Sequence, residues 1–492
     1  MRKILIRSGK SPNVALGPEA SLASSRFAVF GTNVGNLVFS NAVTRAISVP
    51  GVEAVSDSLL SERTNPTDEY VDRINNEFES FVVPLANAFR PEFVGPLRRL
   101  TRLIERLDIP VTVVGAGSQL DVTGNPFGEI ETVNDASRDF VKAVLDKSAS
   151  IGVRGDMTKK YLTGIGLPAD SIDVIGCPSL YDAGPNLHIS KKVERISAES
   201  LLAFNTPMAI AGADEFVRRH AELYPNLVFV PQSNKELEQM VWGAADNVRG
   251  AIPTHPDHPL YREDRVRFFL DPSTWAAYLG ERDFTFGSRI HGNVVSLLGG
   301  TPAVVFAWDS RTLELAQHHK IPHLTMPELP QDLDIRRVYD DVDFADFNAA
   351  VPENFRNYVD FLNRNGIENI HQDGKSNPEY DAKISKVSFP APVGTAYGED
   401  GVTDLLSRLR WLRQGPGSEA GRRFGGYVPP IDPTKMLPAK EPTDLPAQVK
   451  GVQLAIARVE DRMAYLAEPF ERRLLAGIKT RFRSLLRRVR RR

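Results

Sequence analysis

Over residues 20–370, short runs of consecutive apolar residues alternate with longer stretches in which apolar positions recur every three or four residues. The short runs are typical of parallel strands buried on both faces, and the longer spacing is typical of amphipathic helices. The predicted strands cover 27–30, 109–114, 151–153, 201–204, 227–230, 266–269, 284–286 and 303–306. The predicted helices between them cover 37–47, 97–107, 136–145, 272–279, 311–318 and 355–362. This alternation predicts an α/β fold with doubly wound parallel sheets.

The pattern divides into two units, 20–190 and 195–370, which we expect to face each other across a cleft. The periodicity is lost over 371–446, apart from a short predicted helix at 405–412. Residues 414–446 contain seven prolines and five glycines, a composition typical of a flexible linker.

Two further segments are predicted after the linker. Apolar residues alternate there at spacings of three and four, which predicts a coiled coil over 447–468 and a homo-oligomer formed through it. The last segment, 470–492, contains ten Lys or Arg and no acidic residue from Arg472 onwards, with its apolar residues on one helical face. A basic amphipathic helix of this kind suits the surface of an anionic membrane. A nucleic-acid-binding tail is the less expected alternative, because it needs no apolar stripe, and a solvated tail without a partner is another.

The composition is that of an ordinary globular protein, with 42% hydrophobic and 25% charged residues and a net charge of −2. This charge gives no indication of a nucleic-acid partner. The chain has one cysteine, Cys177, so an intrachain disulfide is impossible. Residues 1–7 lack the apolar segment of a signal peptide, and the most apolar internal run, 294–307, is too short to span a bilayer. We therefore expect a cytoplasmic protein.

The stretch 283–315 carries the most informative chemistry. Arg289 and His291 lie where a predicted strand passes through a turn into a helix, a place whose free N–H groups and helix dipole favour an anion. The guanidinium of Arg289 matches the geometry of a phosphate or carboxylate, and His291 can transfer a proton near neutral pH. The alternative is that both are ordinary turn residues.

Two other turns between a strand and a helix contain candidate ligand-binding residues. Asn33 and Gly35 follow the first predicted strand, and Gly115 and Gly117 follow the apolar run 109–114. Glycines at the carboxyl end of a parallel strand allow a ligand to approach the backbone, although such turns also exist only to pack a helix on a sheet.

Arg154 directly follows the predicted strand 151–153, again at the edge where α/β sheets bind ligands. The alternative for Arg154 is a structural salt bridge to Asp156 or Asp173. Cys177 has no base near it in sequence and is predicted to be a buried structural thiol. We predict no metal site, because histidines that are merely close in sequence do not make one; these are His318, His319 and His323.

A resemblance to the polysaccharide pyruvyl transferase family is carried by two segments. They are Gly-Ser-Arg-Ile-His-Gly-Asn-Val-Val-Ser-Leu-Leu-Gly-Gly-Thr-Pro-Ala-Val-Val at 287–305 and Asp-Ser-Arg-Thr-Leu-Glu-Leu-Ala at 309–316. The resemblance is specific over 287–322 and looser over 26–180, and it does not reach the C-terminal hundred residues. It implies two facing Rossmann-like domains, similar to the GT-B glycosyltransferases.

The family moves the enolpyruvyl part of phosphoenolpyruvate onto a sugar, usually as a cyclic pyruvate ketal. The resemblance therefore implies phosphoenolpyruvate as the donor and a sugar or lipid-linked oligosaccharide as the acceptor, with no metal or cofactor. Arg154 matches an arginine that the family keeps, so Arg154, Arg289 and Arg311 are implied to bind the donor. Ser288, in the turn, is a further substrate-binding candidate, and His291 is the candidate acid that protonates the enol methylene.

The chain departs from the family at two positions. Asn36 stands where the family commonly has the acid of an Asn-x-Gly-Asp turn, and Cys177 stands where relatives often carry Asp. Two other functions stay open at this point: a nucleotide-sugar glycosyltransferase with the same architecture, and a non-catalytic polysaccharide assembly factor that uses the coiled coil and tail. A lipid-linked acceptor would place the protein peripherally on the inner face of the membrane.

Overall fold

The computed structural model of the chain describes residues 1–25, 28–119, 131–206, 212–243, 256–326, 328–330, 332–414 and 427–431. The first compact unit of the chain is Met1–Met436, and all described residues belong to it. The predicted coiled coil, 447–468, and basic tail, 470–492, lie outside the described residues, so both stay predictions.

Strands and helices alternate along the described chain, as the apolar pattern predicts. The strands are β1 (Arg2–Ile6), β2 (Val29–Thr32), β3 (Val52–Ser56), β4 (Ser80–Pro84), β5 (Val111–Val114), β6 (Ile151–Val153), β7 (Ile172–Val174), β8 (Leu202–Asn205), β9 (Val228–Phe229), β10 (Phe284–Gly287), β11 (Ala303–Ala307) and β12 (His323–Thr325).

The helices include some of only one turn and one of 20 residues, α15. They are α1 (Pro18–Ala23), α2 (Gly35–Ile47), α3 (Leu60–Arg63), α4 (Asp68–Glu77), α5 (Val94–Ile104), α6 (Glu131–Leu145), α7 (Asp156–Gly164), α8 (Ala213–Leu223), α9 (Asn234–Trp242), α10 (Pro259–Arg262), α11 (Pro272–Gly280), α12 (Ile290–Leu298), α13 (Ser310–His319), α14 (Ile335–Asp341), α15 (Ala345–Arg364), α16 (Pro378–Ser385) and α17 (Gly401–Gln414). Among the described residues, no helix is long and apolar enough to cross a bilayer.

The first sheet has the strand order β3-β1-β4-β5, and its strands are parallel. Strands β6 and β7 pair with each other, and β6 lies beside β5 through the parallel bridge between Ala116 and Val153. All residues of β5 and β6 are buried, as expected for parallel strands covered by helices on both faces.

The second sheet has the order β12-β11-β10-β8-β9 and is also parallel. Strand β10 lies at its centre, where Thr285 pairs with Ala203 on one side and with Ala303 on the other. Since both sheets are parallel and alternate with helices, the predicted α/β fold is confirmed.

One apolar cluster joins the helices of the two sheets. It contains Phe39 of α2 and Cys177 from the first half of the chain, together with Ile290 and Val294 of α12 from the second half. Burying such apolar surface stabilises the contact by about 25 cal/mol per Å². The cluster lies next to the carboxyl ends of β6 and β10, where the candidate site is found.

Several boundaries differ from the sequence-based expectation. Strand β1 was not predicted, and the predicted strand 27–30 is shifted to Val29–Thr32. The predicted strand 266–269 is wrong, because this segment makes only single bridges, from Val266 to Phe229 and from Phe268 to Val393. A segment whose two bridges lead to different partners does not build a continuous ladder.

The region 371–446 is more ordered than predicted wherever it is described. Helix α16 lies in the part predicted to be irregular, and α17 extends beyond the predicted 405–412. Arg408 of α17 makes a buried ion pair with Glu19, at 2.8 Å between Nε and Oε1. Tyr427 and Ile431, within the predicted flexible linker, are buried in the apolar core. The linker prediction is therefore wrong for 427–431.

Candidate active site

The carboxyl ends of strands from both sheets open onto one cavity of about 510 Å³. This is the edge at which parallel α/β sheets bind ligands. Six of its lining side chains are guanidinium groups, and they are accompanied by a single carboxylate, that of Glu62; the six are Arg7, Arg63, Arg90, Arg154, Arg289 and Arg311. A water-restricted cavity with this charge is suited to an anionic ligand.

The turn from β10 to α12 is held by the end of β8. Asn205 Oδ1 accepts a hydrogen bond from the Arg289 N–H at 2.9 Å, and its carbonyl accepts one from the Ser288 N–H at 2.9 Å. Gly287, at φ 144°, approaches Asn205 so closely that a Cβ would lie 1.8 Å from the Asn205 oxygen. The side chain of Asn293 adds a bond to the Gly287 carbonyl at 2.9 Å. These contacts fix the backbone of the turn from which the side chains of Arg289 and His291 extend.

The guanidinium of Arg289 lines the cavity and contacts the carboxylate of Glu236 on one side. Its Nη2 lies 3.6 Å from Oε1 of the buried Glu236, whose other oxygen accepts from the N–H groups of Gln232 and Ser233 at 2.9 and 2.7 Å. In the described part of the chain, Arg289 Nε and Gln232 Nε2 are buried without a hydrogen-bond partner. Unsatisfied buried donors are costly, so both atoms are available to an oxygen-bearing ligand.

His291 is positioned by the start of α2. Its ring stacks on Phe39, with centroids 5.7 Å apart and planes inclined by 23°. A Cβ at Gly35 would lie 2.8 Å from His291 Nδ1, so a side chain at that position would displace the imidazole. Asn33 Oδ1 accepts from the Gly35 N–H at 2.7 Å, which shapes this turn. The predicted residues Asn33, Gly35 and His291 are therefore brought together.

Burial, and then the charge of Arg154, lower the pKa of His291 to about 3. A pKa this low makes the imidazole neutral at pH 7. A bound anion acts in the opposite direction, because a nearby negative charge favours the imidazolium form.

Cys177 is buried, as predicted, and the structure adds a neighbour that the sequence could not show. Its Sγ lies 4.0 Å from His291 Nε2 and 3.3 Å from Ser179 Oγ. The Cys177 N–H donates to His319 Nε2 at 2.8 Å. Cys177 Sγ therefore lies beside Nε2 of the His291 ring, whereas Gly35 lies beside the other ring nitrogen, Nδ1.

Arg154 is buried beneath the cavity, with its Nε donating to the Gly115 carbonyl at 3.0 Å and its guanidinium 5.9 Å from the centre of the Phe39 ring. Burial lowers the pKa of Arg154. Asp173 forms its ion pair with Arg364 instead, at 3.0 Å, so the predicted structural salt bridge to that residue is not formed. In the described chain no ion pair joins Arg154 to Asp156 either.

The other predicted residues take different positions. Gly115 and Gly117 do not line the cavity; Gly117 leaves room for Arg154, whose Cδ would lie 2.9 Å from a Cβ there. Ser288 does line the cavity, and its Oγ lies 3.0 Å from Thr206 Oγ1. Arg311 lines the cavity at the start of α13, where its Nε donates to the buried Asp309 at 2.7 Å. Arg289, His291, Arg154, Ser288 and Arg311 thus share one cavity.

Several cavity residues were missed by the sequence reasoning, above all Arg7, Asn87 and Arg90. They follow the carboxyl ends of β1 and β4, and neither strand was predicted. The rule that ligands bind at strand ends would have pointed to them once these strands were recognised.

Behind the cavity, a hydrogen-bonded network joins α13 to the start of α7. The carboxylate of Glu314 accepts from the Thr158 N–H at 3.0 Å and from Thr158 Oγ1 at 2.9 Å. Thr158 Oγ1 in turn accepts from the Ser118 N–H at 2.9 Å, and Ser310 Oγ donates to the Ser118 carbonyl at 3.3 Å. Burial raises the pKa of Glu314 to about 7, although these hydrogen bonds and Arg154 act to lower it.

Within the described residues, no group of three His, Cys, Asp or Glu side chains is placed to hold a metal ion. His319 is occupied by the Cys177 N–H, and His323 Nδ1 contacts the Ile321 carbonyl at 2.9 Å.

Comparison with solved structures finds weak overall similarity to proteins of nucleotide-sugar metabolism. S. aureus MnaA in a co-structure with UDP is 11% identical, covers 84% of this chain and 97% of its own, and has a TM-score of 0.34. The UDP-N-acetylglucosamine 2-epimerase of Rickettsia bellii is 13% identical, with coverage of 74% and 98% and a TM-score of 0.37. Anabaena HepE in complex with UDP and glucose is 13% identical, with coverage of 74% and 95% and a TM-score of 0.36.

No curated protein sequence matches the chain. The family model described as polysaccharide pyruvyl transferase matches residues 33–310, a segment that runs from the Asn33 turn through Arg154, Arg289 and His291 to the start of α13. Because this match spans more than half of the 492 residues, the chain belongs to the polysaccharide pyruvyl transferase family.

Proposed function

We propose that this protein transfers the pyruvyl group of phosphoenolpyruvate onto a sugar of a bacterial polysaccharide or of its lipid-linked precursor, forming a pyruvate ketal. The observation that carries the proposal is that Arg154, Arg289, Arg311 and His291 all line one cavity. The two halves of the chain that line it are the GT-B-like pair of domains in this proposal.

The donor brings two anionic groups, a phosphate and a carboxylate, and the cavity offers a matching set of cations. In the described chain, Arg289 Nε is buried without a hydrogen-bond partner, and Gln232 Nε2 is also buried without one. Arg311 keeps Asp309 as its counter-ion, so it can turn a remaining N–H towards the ligand while staying anchored. Each charge-assisted contact contributes about 1.5–3 kcal/mol.

His291 supplies the proton in the proposed reaction. Burial and Arg154 lower the pKa of the imidazole, and the donor's negative charge acts to raise it. Formation of the imidazolium on donor binding is part of the proposal. Transfer of its proton to the enol methylene gives an oxocarbenium-like carbon, which a sugar hydroxyl attacks. Loss of inorganic phosphate and attack by a second hydroxyl of the same sugar close the ketal. One hydroxyl proton returns to His291, and the other leaves with the inorganic phosphate. No metal or organic cofactor takes part in these steps.

The distinguishing experiment measures the melting temperature of the purified protein with phosphoenolpyruvate and, separately, with UDP-sugars. A ligand that binds only the native state raises the melting temperature, and we expect phosphoenolpyruvate to raise it more than any UDP-sugar does. Stabilisation by UDP-sugars alone would replace the proposal with a nucleotide-sugar glycosyltransferase.

A second measurement tests turnover. Purified protein, phosphoenolpyruvate and candidate lipid-linked sugars should release inorganic phosphate only when donor and acceptor are both present. Donor binding with no phosphate release from any acceptor would favour a non-catalytic assembly factor.

A further inference from the structure

Arg90 is a cavity guanidinium whose ion pair is long and exposed to solvent. It follows β4, its side chain is 28% exposed, and its Nε lies 3.7 Å from Oε2 of Glu92, which is itself 75% exposed. Its guanidinium lies 5.5 Å from the centre of the Phe93 ring. An ion pair this long and this exposed neutralises little charge.

Arg311 approaches Arg90 from the other half of the chain, and one amide lies between them. With its oxygen turned towards the two guanidinium groups, Asn87 accepts from Arg311 Nη1 at 2.8 Å and also from Arg90 Nη1. Burial, and then the charge of Arg311, lower the pKa of Arg90. Two cations held against one neutral amide repel each other, and an anion bound between them removes that repulsion.

The neighbouring cations already have counter-ions. Arg7 is bonded to Glu62 through Nε at 2.7 Å and Nη2 at 2.5 Å, and its Nη1 donates to the Pro84 carbonyl at 2.7 Å. Arg311 has Asp309, which is fully buried. Arg90 is therefore neutralised less by its acidic partner than Arg7 and Arg311 are by theirs.

The position of Arg90 separates it from the proposed donor site. It follows β4, whereas Arg154 follows β6, and β5 lies between the two strands. The ends of β4 and β6 therefore lie on either side of β5. The charge that most affects His291 is that of Arg154, and the charge that most affects Arg90 is that of Arg311. His291 and Arg90 thus lie closest to different cations of the cavity.

We propose that Arg90 and Asn87, together with Arg311, whose charge acts on both Arg154 and Arg90, form a second anion subsite. This subsite binds the phosphate or diphosphate of the acceptor while phosphoenolpyruvate lies beside His291, and Arg311 is shared between the two anions. Two guanidinium groups that converge from different sides suit the tetrahedral arrangement of phosphate oxygens. A planar carboxylate, in contrast, is satisfied by the paired N–H groups of a single guanidinium. The inference rests on the proposed function and gives the acceptor its class: a sugar joined to a phosphate-type group. That group belongs either to a nucleotide or to a lipid carrier.

The test is isothermal titration of the donor-saturated protein with inorganic diphosphate, uridine diphosphate and farnesyl diphosphate. The variants are Arg90→Gln and, as a matched control, Arg98→Gln, which removes an exposed guanidinium on the neighbouring helix α5. We expect inorganic diphosphate to bind together with the donor. Arg90→Gln should weaken this binding about 10- to 100-fold, the loss of one charge-assisted contact, and leave the donor's dissociation constant unchanged. Arg98→Gln should change neither.

The two sources of the anion are separated by the organic diphosphates. Tighter binding of uridine diphosphate than of farnesyl diphosphate assigns the subsite to a nucleotide-linked acceptor, and the reverse order assigns it to a lipid-linked one. Diphosphate that displaces the donor, or an Arg90→Gln variant that loses donor and diphosphate binding equally, overturns the inference.

Failure of the proposed function is recognised separately. If phosphoenolpyruvate does not bind at all, that function fails, and the diphosphate titration of the donor-free protein then decides the subsite. If Arg90→Gln binds diphosphate more weakly than Arg98→Gln does, the subsite is supported. If both variants bind diphosphate equally, the subsite is overturned.

Discussion

Burial and the charge of Arg154 lower the pKa of His291 to about 3, which makes its imidazole neutral at pH 7. Its proposed role as an acid therefore depends on the charge that the donor brings. Replacing His291 by Asn should lower kcat by about 100- to 10,000-fold, because the proton transfer is lost, with little change in the donor's dissociation constant. Steady-state phosphate release and donor titration measure the two effects.

Arg289→Ala provides the matched comparison. In the wild type, Glu236 holds the Arg289 guanidinium, which makes a charge-assisted contact to the donor in the proposed complex. The variant loses this contact, so it should bind the donor about 10- to 100-fold more weakly. A folded His291→Asn variant with wild-type kcat would remove the proposed acid.

Cys177 gives a second prediction at this scale, because its Sγ lies 4.0 Å from His291 Nε2. An aspartate at this position places a carboxylate beside the ring, which raises the pKa of the imidazolium. For a catalytic acid, activity declines as pH rises through that pKa, so the declining limb of the kcat profile should move to higher pH in Cys177→Asp. Cys177→Ser, of similar size and uncharged, is the control. If the declining limb lies at the same pH in Cys177→Asp and Cys177→Ser, a charge at position 177 does not change the pKa of the catalytic acid.

At the residue scale, sequence reasoning found the cavity residues that follow recognisable apolar runs, such as Arg154 after 151–153 and Arg289 after 284–286. It missed Arg90 because β4 was not recognised. It also could not place Cys177 beside His291. The two are 114 positions apart in the chain, and the packing of α12 against the segment that begins at Cys177 brings them together.

At the scale of elements, short apolar runs predicted the central strands well and the outer segments poorly. Strand β6 has the predicted limits, and the turn from β10 to α12 was located correctly. The run 266–269 is buried and apolar but makes only isolated bridges. Burial is what the apolar pattern reports, and hydrogen-bonded pairing needs a neighbour that the pattern does not name.

The contact of α13 with α7 leads to a prediction about pH. The pKa of Glu314 is about 7 in the folded protein, against 4.5 for an unperturbed glutamate. The folded state therefore binds this proton more tightly than the unfolded state does, and the stability it contributes is present below pH 4.5 and lost as pH rises through 7. The full change is roughly 3 kcal/mol.

Glu314→Gln keeps an oxygen for Thr158 and removes the titration. The melting temperature of the wild type, measured relative to this variant, should therefore be higher at pH 5 than at pH 8. Asp57, whose pKa is also raised by burial, to about 6, is present in both proteins and cancels in the comparison. A difference in melting temperature that does not vary with pH would show that Glu314 does not titrate in this range.

At the scale of the whole molecule, the segments beyond residue 436 are known only as sequence. We predict that 447–468 associates the chain into a homo-oligomer and that 470–492 binds an anionic membrane surface. A chain ending at residue 469 should keep the oligomeric mass and lose binding to anionic liposomes, and a chain ending at 436 should lose both. Light scattering and liposome co-sedimentation measure these properties.

Binding of the full chain to anionic liposomes should weaken as salt is added, because each basic residue contributes at most about 1 kcal/mol through a screened interaction. Equal sedimentation of the full and shortened chains would rule out the membrane role. An unchanged mass for the chain ending at 436 would count against the coiled coil.

The hydrogen bonds between Glu314 and Thr158, and between Ser310 and Ser118, cross from one half of the chain to the other directly behind the cavity. These buried hydrogen bonds would have to break for the two halves to separate behind the cavity. Any hinge motion of the halves would therefore pivot about this contact. Phe89, next to Arg90, pairs with Ser118, so Arg90 lies beside these bonds as well. We therefore expect any opening of the cavity to occur away from α13 and to leave Arg90 and Arg311 in the same relative position.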